Sequence, residues 1–507
     1  MAITHRMLYH QDMKSVFFLL SFLYSYYAAC QITYFEHVAP IVKENCQSCH
    51  STDDIGPMSL STYDEVASYA SMIKFVMDTK LMPPFKADYH KVEYANERSI
   101  SEAEKLFIAK WIEDGLLEGT PPDSISVNIS KAIEPRYDYT ICMSESFEHY
   151  GIYYDQYQVF VLPTSMNEGK YIKEIHFEPG NKEIVRSATI SLATKGRSST
   201  MDNWDPRYGF FAYGNLGFNA TFPNWYNWMP HTKGLGLDNN NHLYIPKDSE
   251  ILMHIHYGPY GEIQKDSSCI HFEYADKPGP ITQNVPLVHS EFVKDSFLIE
   301  SDLKKRISSS FIIPVDTKLK SVTPLAHLLC RSWQVFAVLP DKTSISLLSI
   351  DDWDFHWKEK YIFKNEINLP SGTIIYASAI YDNTSDNPYN PASPTHTMKK
   401  GPHMFDENFE CYFEFAMPDN NVYYLIKPFI STDGRIQDVS FFTANEDKLK
   451  LVLYDLTTGD ESIISYNNYK PGVHTIQSSE LPLQKGRYSI SLVSAVGVED
   501  TWWFVFL

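Results

Sequence analysis

Ile251-Leu252-Met253-His254-Ile255-His256 decides the fold of most of this 507-residue chain. A period of two places Leu252, His254 and His256 on one face of a strand and Ile251, Met253 and Ile255 on the other. Short aromatic and β-branched runs of the same kind, punctuated by Gly, Pro, Asn and Asp, recur on both sides of this stretch, so the region reads as all-β. An aromatic content of 14% suits that reading. Two imidazoles on one strand face can share a metal ion, or can be hydrogen-bonded side chains of a half-buried sheet; the second is the more ordinary arrangement.

Upstream of Gly119 the periodicity is helical. Thr62 with Glu65 and Ser101 with Glu104 form two capping boxes. Behind the first, Val66, Tyr69, Ile73 and Val76 recur at helical spacing; behind the second come Phe107, Ile108, Trp111 and Ile112, with Gly115 as the stop. Within this segment Cys46-Gln47-Ser48-Cys49-His50 spells C-x-x-C-H, the pattern of covalent haem attachment. Two thiols at this spacing each add to one vinyl group of a haem, and the adjoining imidazole is placed under the iron. A disulfide, a redox thiol pair or half of a zinc site are the alternatives; zinc lacks a second cysteine pair, and a thioredoxin-like role lacks a βαβ context. Leu81-Met82-Pro83-Pro84-Phe85 is barred from helix by its prolines, and Met82 on that stiff backbone is the candidate second axial ligand, in competition with Met58, Met72 and Met77.

The stretch from TYFEHVAPIVKENCQSCH through LMPPF to AKWIEDG resembles the small monohaem cytochrome c domain of exported bacterial enzymes. The resemblance implies a few helices wrapped around one covalent haem c, with Cys46 and Cys49 as tethers and His50 and Met82 on the iron. A haem held in this way passes single electrons.

Further along, PGNKEIV (179–185), ILMHIHYGPYG (251–261), VTPLAHLL (322–329), DDWDFHWKEKYIF (351–363) and YDNTSDNPYNPASP (381–394) resemble the copper type II ascorbate-dependent monooxygenases. This implies two jelly-roll-like sandwiches, over 139–285 and 286–420. Carried over position by position, the copper ligands are mostly missing. Arg186 and Ser187 stand where the family has a His-His pair, Leu325 and Ala326 interrupt its Pro-His-Met-His segment, and Asn408 replaces its Met. His256 and His327 remain, one per site, as vestigial copper positions. One imidazole per ion is too few donors for tight copper binding, and a guanidinium repels a cation, so copper is not expected to bind. His231, His254, His396 and His403 are the side chains from which a rearranged site would have to be built. From Lys427, the pattern KPFISTDGRIQDVSFF to TWWFVFL resembles the C-terminal sorting domains of the type IX secretion route; a plain immunoglobulin-like accessory domain is the alternative for 427–507.

The organisation expected is therefore α plus all-β. A signal peptide (1–29) and a cytochrome c-like domain (33–119) precede a linker (120–138), the two sandwiches and a small C-terminal immunoglobulin-like sandwich. Lys14 before the apolar run Val16–Tyr27 is the export signal, and no apolar run is long enough for a transmembrane helix. Cys30 offers a possible lipid anchor. Export places the chain in the periplasm or at the cell surface, where Cys330–Cys411 and Cys142–Cys269 are candidate disulfides among three possible pairings. A net charge of −20 argues against a nucleic-acid partner. The function expected is one-electron transfer with a redox protein or a small-molecule donor, the monooxygenase-like module being non-catalytic. A haem-coupled copper monooxygenase and a surface binding or adhesion protein are the alternatives.

Overall fold

In a computed structural model, residues 31–121 and 137–506 are described, except for 53, 55, 152, 195–197, 204, 215, 217–221, 231, 233–234, 237–241, 246, 248, 277–281, 289–296, 314–315, 402, 417–422, 431–434, 444–445, 456–457, 471, 478–482, 485 and 496. The expected signal peptide, Cys30, most of the expected linker and His231 lie outside the described residues. Strand makes up 46% and helix 11%, so the chain is predominantly β-sheet. It divides into one unit of Met1–Phe85 with Arg98–Glu134, and a second of Lys86–Glu97 with Pro135–Leu507.

The first unit is helical. A π-helical turn over Tyr34–Val38 runs into the helix Ala39–Asn45, and Tyr63–Ser68, Ala70–Asp78 and Glu102–Glu113 follow. Both capping boxes form: the Thr62 hydroxyl accepts from the Glu65 amide and the Ser101 hydroxyl from the Glu104 amide, with each glutamate reaching back. Each cap is worth about 1 kcal/mol. The first periodic stretch is two helices rather than one, because Tyr69 leaves helical geometry between them. Val38, Val42, Val66, Ile73, Met77, Ile108 and Trp111 share one core. Trp111 is fully buried, and its indole N–H donates to the Leu117 carbonyl (2.9 Å), so no buried donor is left over.

Among the described residues the second unit has three pairs of larger antiparallel sheets and two small two-stranded ones. In the first pair, Lys170–Glu178 and Cys269–Tyr274 belong to one sheet, and Gln156–Pro163, Ser249–Tyr257 and Val185–Thr194 are adjacent in the other. Ile175, Phe177, Ile270 and Phe272 from one sheet meet Ile190, Ile251, Met253 and Ile255 from the other in a single core, so these two sheets form a sandwich. The opposite face of Ser249–Tyr257 is also covered: Leu252 packs with Val159, Ala193, Phe210 and Ala212. The strand is thus buried on both faces, and His254 and His256 are interior groups. Cys142 and Cys269 are directly paired across neighbouring strands and are joined by a disulfide.

In the second pair, Thr317–Leu325 lies between Glu410–Ala416 and Tyr361–Leu369, and Ile374–Asp382 lies between Lys304–Ile312 and Cys330–Val338. Phe311 bridges the sheets, its ring 5.5 Å from Phe413. The expected Cys330–Cys411 bridge is corrected here. Both thiols are free and buried, Cys330 beginning a strand of one sheet and Cys411 lying on a strand of the other. Their closeness to neighbouring motifs in sequence does not bring the two sulfurs together.

Residues Lys86–Glu97 belong with this second sandwich. Asp88 and Ala95 amides donate to Ser349 and Ile362 carbonyls, the Tyr94 hydroxyl to Leu347, and the Asn96 amide to Glu359 and to the Lys360 carbonyl. The third pair joins Ile436, Val439 and Phe441 to Leu449, Leu451, Ile490 and Leu492 in one core. No helix among the described residues is long and apolar enough to cross a membrane.

Candidate functional site

In the helical unit, the thiols and imidazole singled out by spacing lie in one turn. Helix Ala39–Asn45 delivers Cys46 at its C-terminal cap, and the Cys49 and His50 amides both donate back to the Cys46 carbonyl (3.2 and 3.0 Å). The two thiols are not bridged. Burial and the neighbouring Cys49 push the Cys46 thiol up to about 11, and burial also raises Cys49, so neither is an activated thiolate. The His50 ring donates from Nδ1 to the Met58 carbonyl (3.1 Å), which leaves Nε2 as the lone pair available to a metal. Gly56 closes the loop over this ring; its own amide donates to the Cys49 carbonyl (2.7 Å), and an added Cβ would stand 2.5 Å from His50 Nδ1. The donor set and its orientation fit a haem tethered through Cys46 and Cys49.

Met82 follows the helix Ala70–Asp78, its amide donating to the Val76 carbonyl (3.1 Å) and its side chain 42% exposed. Met77 is committed to the core, and Met58 packs against it. Tyr69, Met72, Phe75, Leu81, Leu106 and Phe107 are also exposed apolar residues of this unit.

In the β-rich unit, His256 and His327, the two histidines that the resemblance aligns with copper positions, are drawn into different interactions. His256 Nε2 donates to Asp155 (2.7 Å), and the Asp155 carboxylate also meets His356 (3.4 Å), which in turn meets Asp354 (3.2 Å). Burial raises Asp155, yet the hydrogen bonds from His256 and His356 outweigh it and hold the carboxyl well below the usual range. Burial lowers His256 to about 4. Burial also opposes the charged form of His356, but Asp155 and Asp354 carry it up to about 9. The result is a chain of alternating imidazoles and carboxylates that runs from buried His256 to exposed His356.

His327 Nδ1 donates to the Asp406 carbonyl (3.0 Å), and its Nε2 is buried without a hydrogen-bond partner. Gly214 packs so closely on that nitrogen that a side chain there would overlap it. The Glu407 carboxylate accepts from the His327, Leu329 (2.9 Å) and Asn408 (2.8 Å) amides; burial pushes it up to about 8 against the pull of these donors. This acidic segment fixes the backbone that carries His327.

Between the histidines lies Lys358. Its Nζ stands 3.9 Å from the Phe355 ring centre and 4.8 Å from that of Tyr157, and 3.4 Å from the Tyr213 carbonyl. Tyr157 stacks on His256 (4.3 Å), and Phe355 stacks on Tyr213 (4.6 Å). Burial lowers the Lys358 ammonium to about 7, with Asp155 opposing. The same ammonium, after burial, helps lower His254 and His327 to about 3. Sequence reading missed Asp155, Tyr157, Tyr213, His356 and Lys358. DDWDFHWKEKYIF marked the neighbourhood, but nothing local marks Asp155 as the partner of a residue 101 positions away.

Several side chains at and near the matched copper positions have partners of their own. His256 spends Nε2 on Asp155, the Arg186 side chain lies against Gly258 two residues beyond it, and Ser187 is its register partner. His254 Nε2 is held by the Ala212 carbonyl (2.7 Å). His396 and His403 lie in the loops around Phe405 and Asp406. Among the described residues no three His, Cys, Asp or Glu side chains converge to hold an ion.

No family model matches the chain, and no curated protein matches it. Among solved structures, it is similar to a tetra-tandem repeat from the extending region of a large adhesion protein (8% identity, 70% of this chain and 75% of that one, TM-score 0.14). It is also similar to a Bacillus licheniformis lipase in propeptide form (11%, 46% and 42%, TM-score 0.17) and to a β-glucuronidase from Ruminococcus gnavus (10%, 41% and 36%, TM-score 0.15). The chain spans less than half the length of the latter two. Likeness this slight assigns neither a fold nor a function.

Proposed function

We propose that this chain is an exported c-type haem protein that carries single electrons, and that its β-rich unit docks or displays the haem domain without monooxygenase activity. One observation carries the reading. His50 is fixed through Nδ1 by the Met58 carbonyl, in a loop that also presents two unbridged thiols, so its Nε2 is free to hold iron. Covalent haem would join Cys46 and Cys49 by thioether bonds and take His50 and Met82 as axial ligands; when bound it supplies a one-electron couple. The helical unit also exposes apolar side chains, Tyr69, Met72, Phe75 and Phe107 among them, and exposed apolar surface commonly marks a binding face.

The helical unit is read as a small cytochrome c domain, the first two sheet pairs as jelly-roll-like sandwiches and the last as an immunoglobulin-like sorting or accessory domain. The Cys142–Cys269 disulfide supports an oxidising compartment, periplasmic or at the cell surface. The partner is a redox protein or a small electron donor, and a net charge of −20 favours one with a basic docking face.

The test is expression in a host competent for cytochrome maturation, followed by haem staining of the denatured polypeptide and spectra of both oxidation states. A covalently bound Soret chromophore that disappears in Cys46→Ser/Cys49→Ser is expected. Colourless, folded wild-type protein overturns the proposal.

A further inference from the structure

We propose that Arg98 is a positioning residue for electron transfer: its guanidinium grips the proline segment that carries Met82 and so keeps that thioether in place as the second axial ligand, a role that rests on the haem reading above. Pro83 and Pro84 have no N–H, so the segment cannot be tied down by amide donors at those positions, and its carbonyls are the handles that remain. On the N-terminal side the Leu81 and Met82 amides both donate to the Val76 carbonyl (2.8 and 3.1 Å), near the end of the helix Ala70–Asp78. On the C-terminal side Arg98 takes hold. Its Nε and Nη2 both donate to the Pro84 carbonyl (3.1 and 2.8 Å), and its guanidinium carbon stands 5.6 Å from the centre of the Phe85 ring. Met82 therefore lies between two attachments. It is 42% exposed, whereas Met77 is 4% exposed, so packing holds it less and its placement falls on these backbone contacts.

Arg98 is anchored in turn. Ile100, two residues on, is buried in the core of the helical unit, and Ser101 caps the helix Glu102–Glu113, whose Ile108 and Trp111 belong to the same core. Phe85 and Arg98 are the points at which the chain leaves and re-enters this unit, and the bonds from Arg98 to Pro84 close that gap. The charge of Arg98 also reaches the haem-attachment turn: burial raises the Cys49 thiol, and Arg98 is among the groups that pull it the other way. Two N–H groups of one planar fork share the Pro84 carbonyl, a contact that an ammonium on a flexible stem cannot reproduce. Hydrogen bonds from a charged donor are also roughly twice as strong as neutral ones. The ligand segment is thus tied to the core of its own unit through a single side chain, and loosening that tie frees the Met82 sulfur to leave the iron.

The experiment uses the full-length haem protein as wild type, Arg98→Gln and Arg98→Lys, with Met82→Ala as the reference for a lost ligand. Four quantities are read at neutral pH: haem per polypeptide, the long-wavelength charge-transfer band of thioether-ligated ferric haem, the midpoint potential, and the affinity for added imidazole, which competes with Met82. Arg98→Gln is expected to keep its covalent haem, to lose much of the thioether band, to fall in potential, and to bind imidazole about tenfold more tightly, all in the direction of Met82→Ala. Arg98→Lys keeps the charge without the fork and is expected to shift the same three readouts the same way; it decides the matter where Arg98→Gln folds too poorly to load haem. Wild-type band, potential and imidazole affinity in both variants overturn the proposal. So does a wild-type band that survives Met82→Ala, which leaves the haem reading standing, whereas colourless wild-type protein overturns that reading itself.

Discussion

His50 Nδ1 donates to the carbonyl oxygen of Met58 across 3.1 Å, so the imidazole that follows the two thiols has only one orientation in which its other nitrogen is free. The loop that enforces this closes at Gly56, where a Cβ would meet His50 Nδ1 at 2.5 Å and the Cys49 carbonyl at 2.6 Å. Backbone and a ring already held by a hydrogen bond cannot both give way. Gly56→Ala is therefore expected to destabilise the helical unit by about 1–3 kcal/mol and to reduce the yield of haem-bearing protein. Urea unfolding followed by near-ultraviolet dichroism, with haem quantified per polypeptide, checks both effects. An unchanged midpoint would mean that the loop is loose enough to reshape.

The disulfide gives a second expectation. Cys142 and Cys269 are separated by 127 residues, and they tie two neighbouring strands of the first sandwich. Removing the link in Cys142→Ser/Cys269→Ser frees a long loop in the unfolded chain, which costs roughly 2–4 kcal/mol. The loss should appear as a lower denaturant midpoint for the β-rich unit. Dithiothreitol should reproduce it in the wild type and do nothing to the variant.

The pH dependence of the β-rich unit follows from the histidine–carboxylate chain. His254, His256 and His327 are lowered to about 3, 4 and 3, chiefly by burial, so between those values and 6.5 the unfolded chain binds more protons than the folded one. Stability contributed by these neutral rings is present above 6.5 and is lost as pH falls toward 4. His356 has the opposite sign: it is raised to about 9, so its contribution is complete below 6.5 and is lost as pH rises through 9. Glu407, raised to about 8, adds a loss as pH rises from 4.5 to 8, and Lys358, lowered to about 7, adds a gain as pH rises from 7 to 10.5. Urea melts taken across pH are therefore expected to show a maximum near 6.5 and a fall that ends near 8. His356→Gln should make the fall above 6.5 shallower, while the acid-limb share of His254 and His327 remains. A variant whose alkaline limb still falls as in the wild type would show that His356 is not the group responsible.

What the sequence could disclose was whatever is local. The alternation at Ile251–His256 placed a strand, because period two needs only neighbouring residues, and the Thr62/Glu65 and Ser101/Glu104 boxes marked helix starts for the same reason. Alternation did not disclose that both faces of that strand are buried, since the cover on the Leu252 side comes from Phe210 and Ala212, forty residues earlier. Asp155, His256 and His356 meet through tertiary packing across more than 200 positions, which no spacing rule reaches. The Cys330–Cys411 expectation failed because nearness to motifs was taken for nearness in space, whereas the two thiols belong to different sheets. Residues 86–97 carry no turn or strand pattern that foretells their pairing with the second sandwich.

That sandwich contains a buried ion pair whose two halves respond differently to change. Lys360 Nζ lies 3.1 Å from Glu414, their side chains only 7% and 8% exposed, and the same carboxylate oxygen accepts from the Ser321 hydroxyl (2.8 Å). Taking both charges out of water costs nearly as much as their attraction returns, so the pair as a whole adds little to stability. Breaking it is another matter. Glu414→Gln keeps the shape and an acceptor for Ser321 but leaves the Lys360 ammonium buried without its counter-charge, at a cost of about 3–5 kcal/mol. Lys360→Met with Glu414→Leu removes both charges and replaces them with apolar volume; it is expected to fall within about 1–2 kcal/mol of the wild type, and a gain in stability would also fit. Lys360→Met alone and Glu414→Leu alone, with the double variant, close a cycle that urea melts at neutral pH can read. If Glu414→Gln costs less than about 1 kcal/mol, water reaches the ammonium and the pair behaves as a surface one.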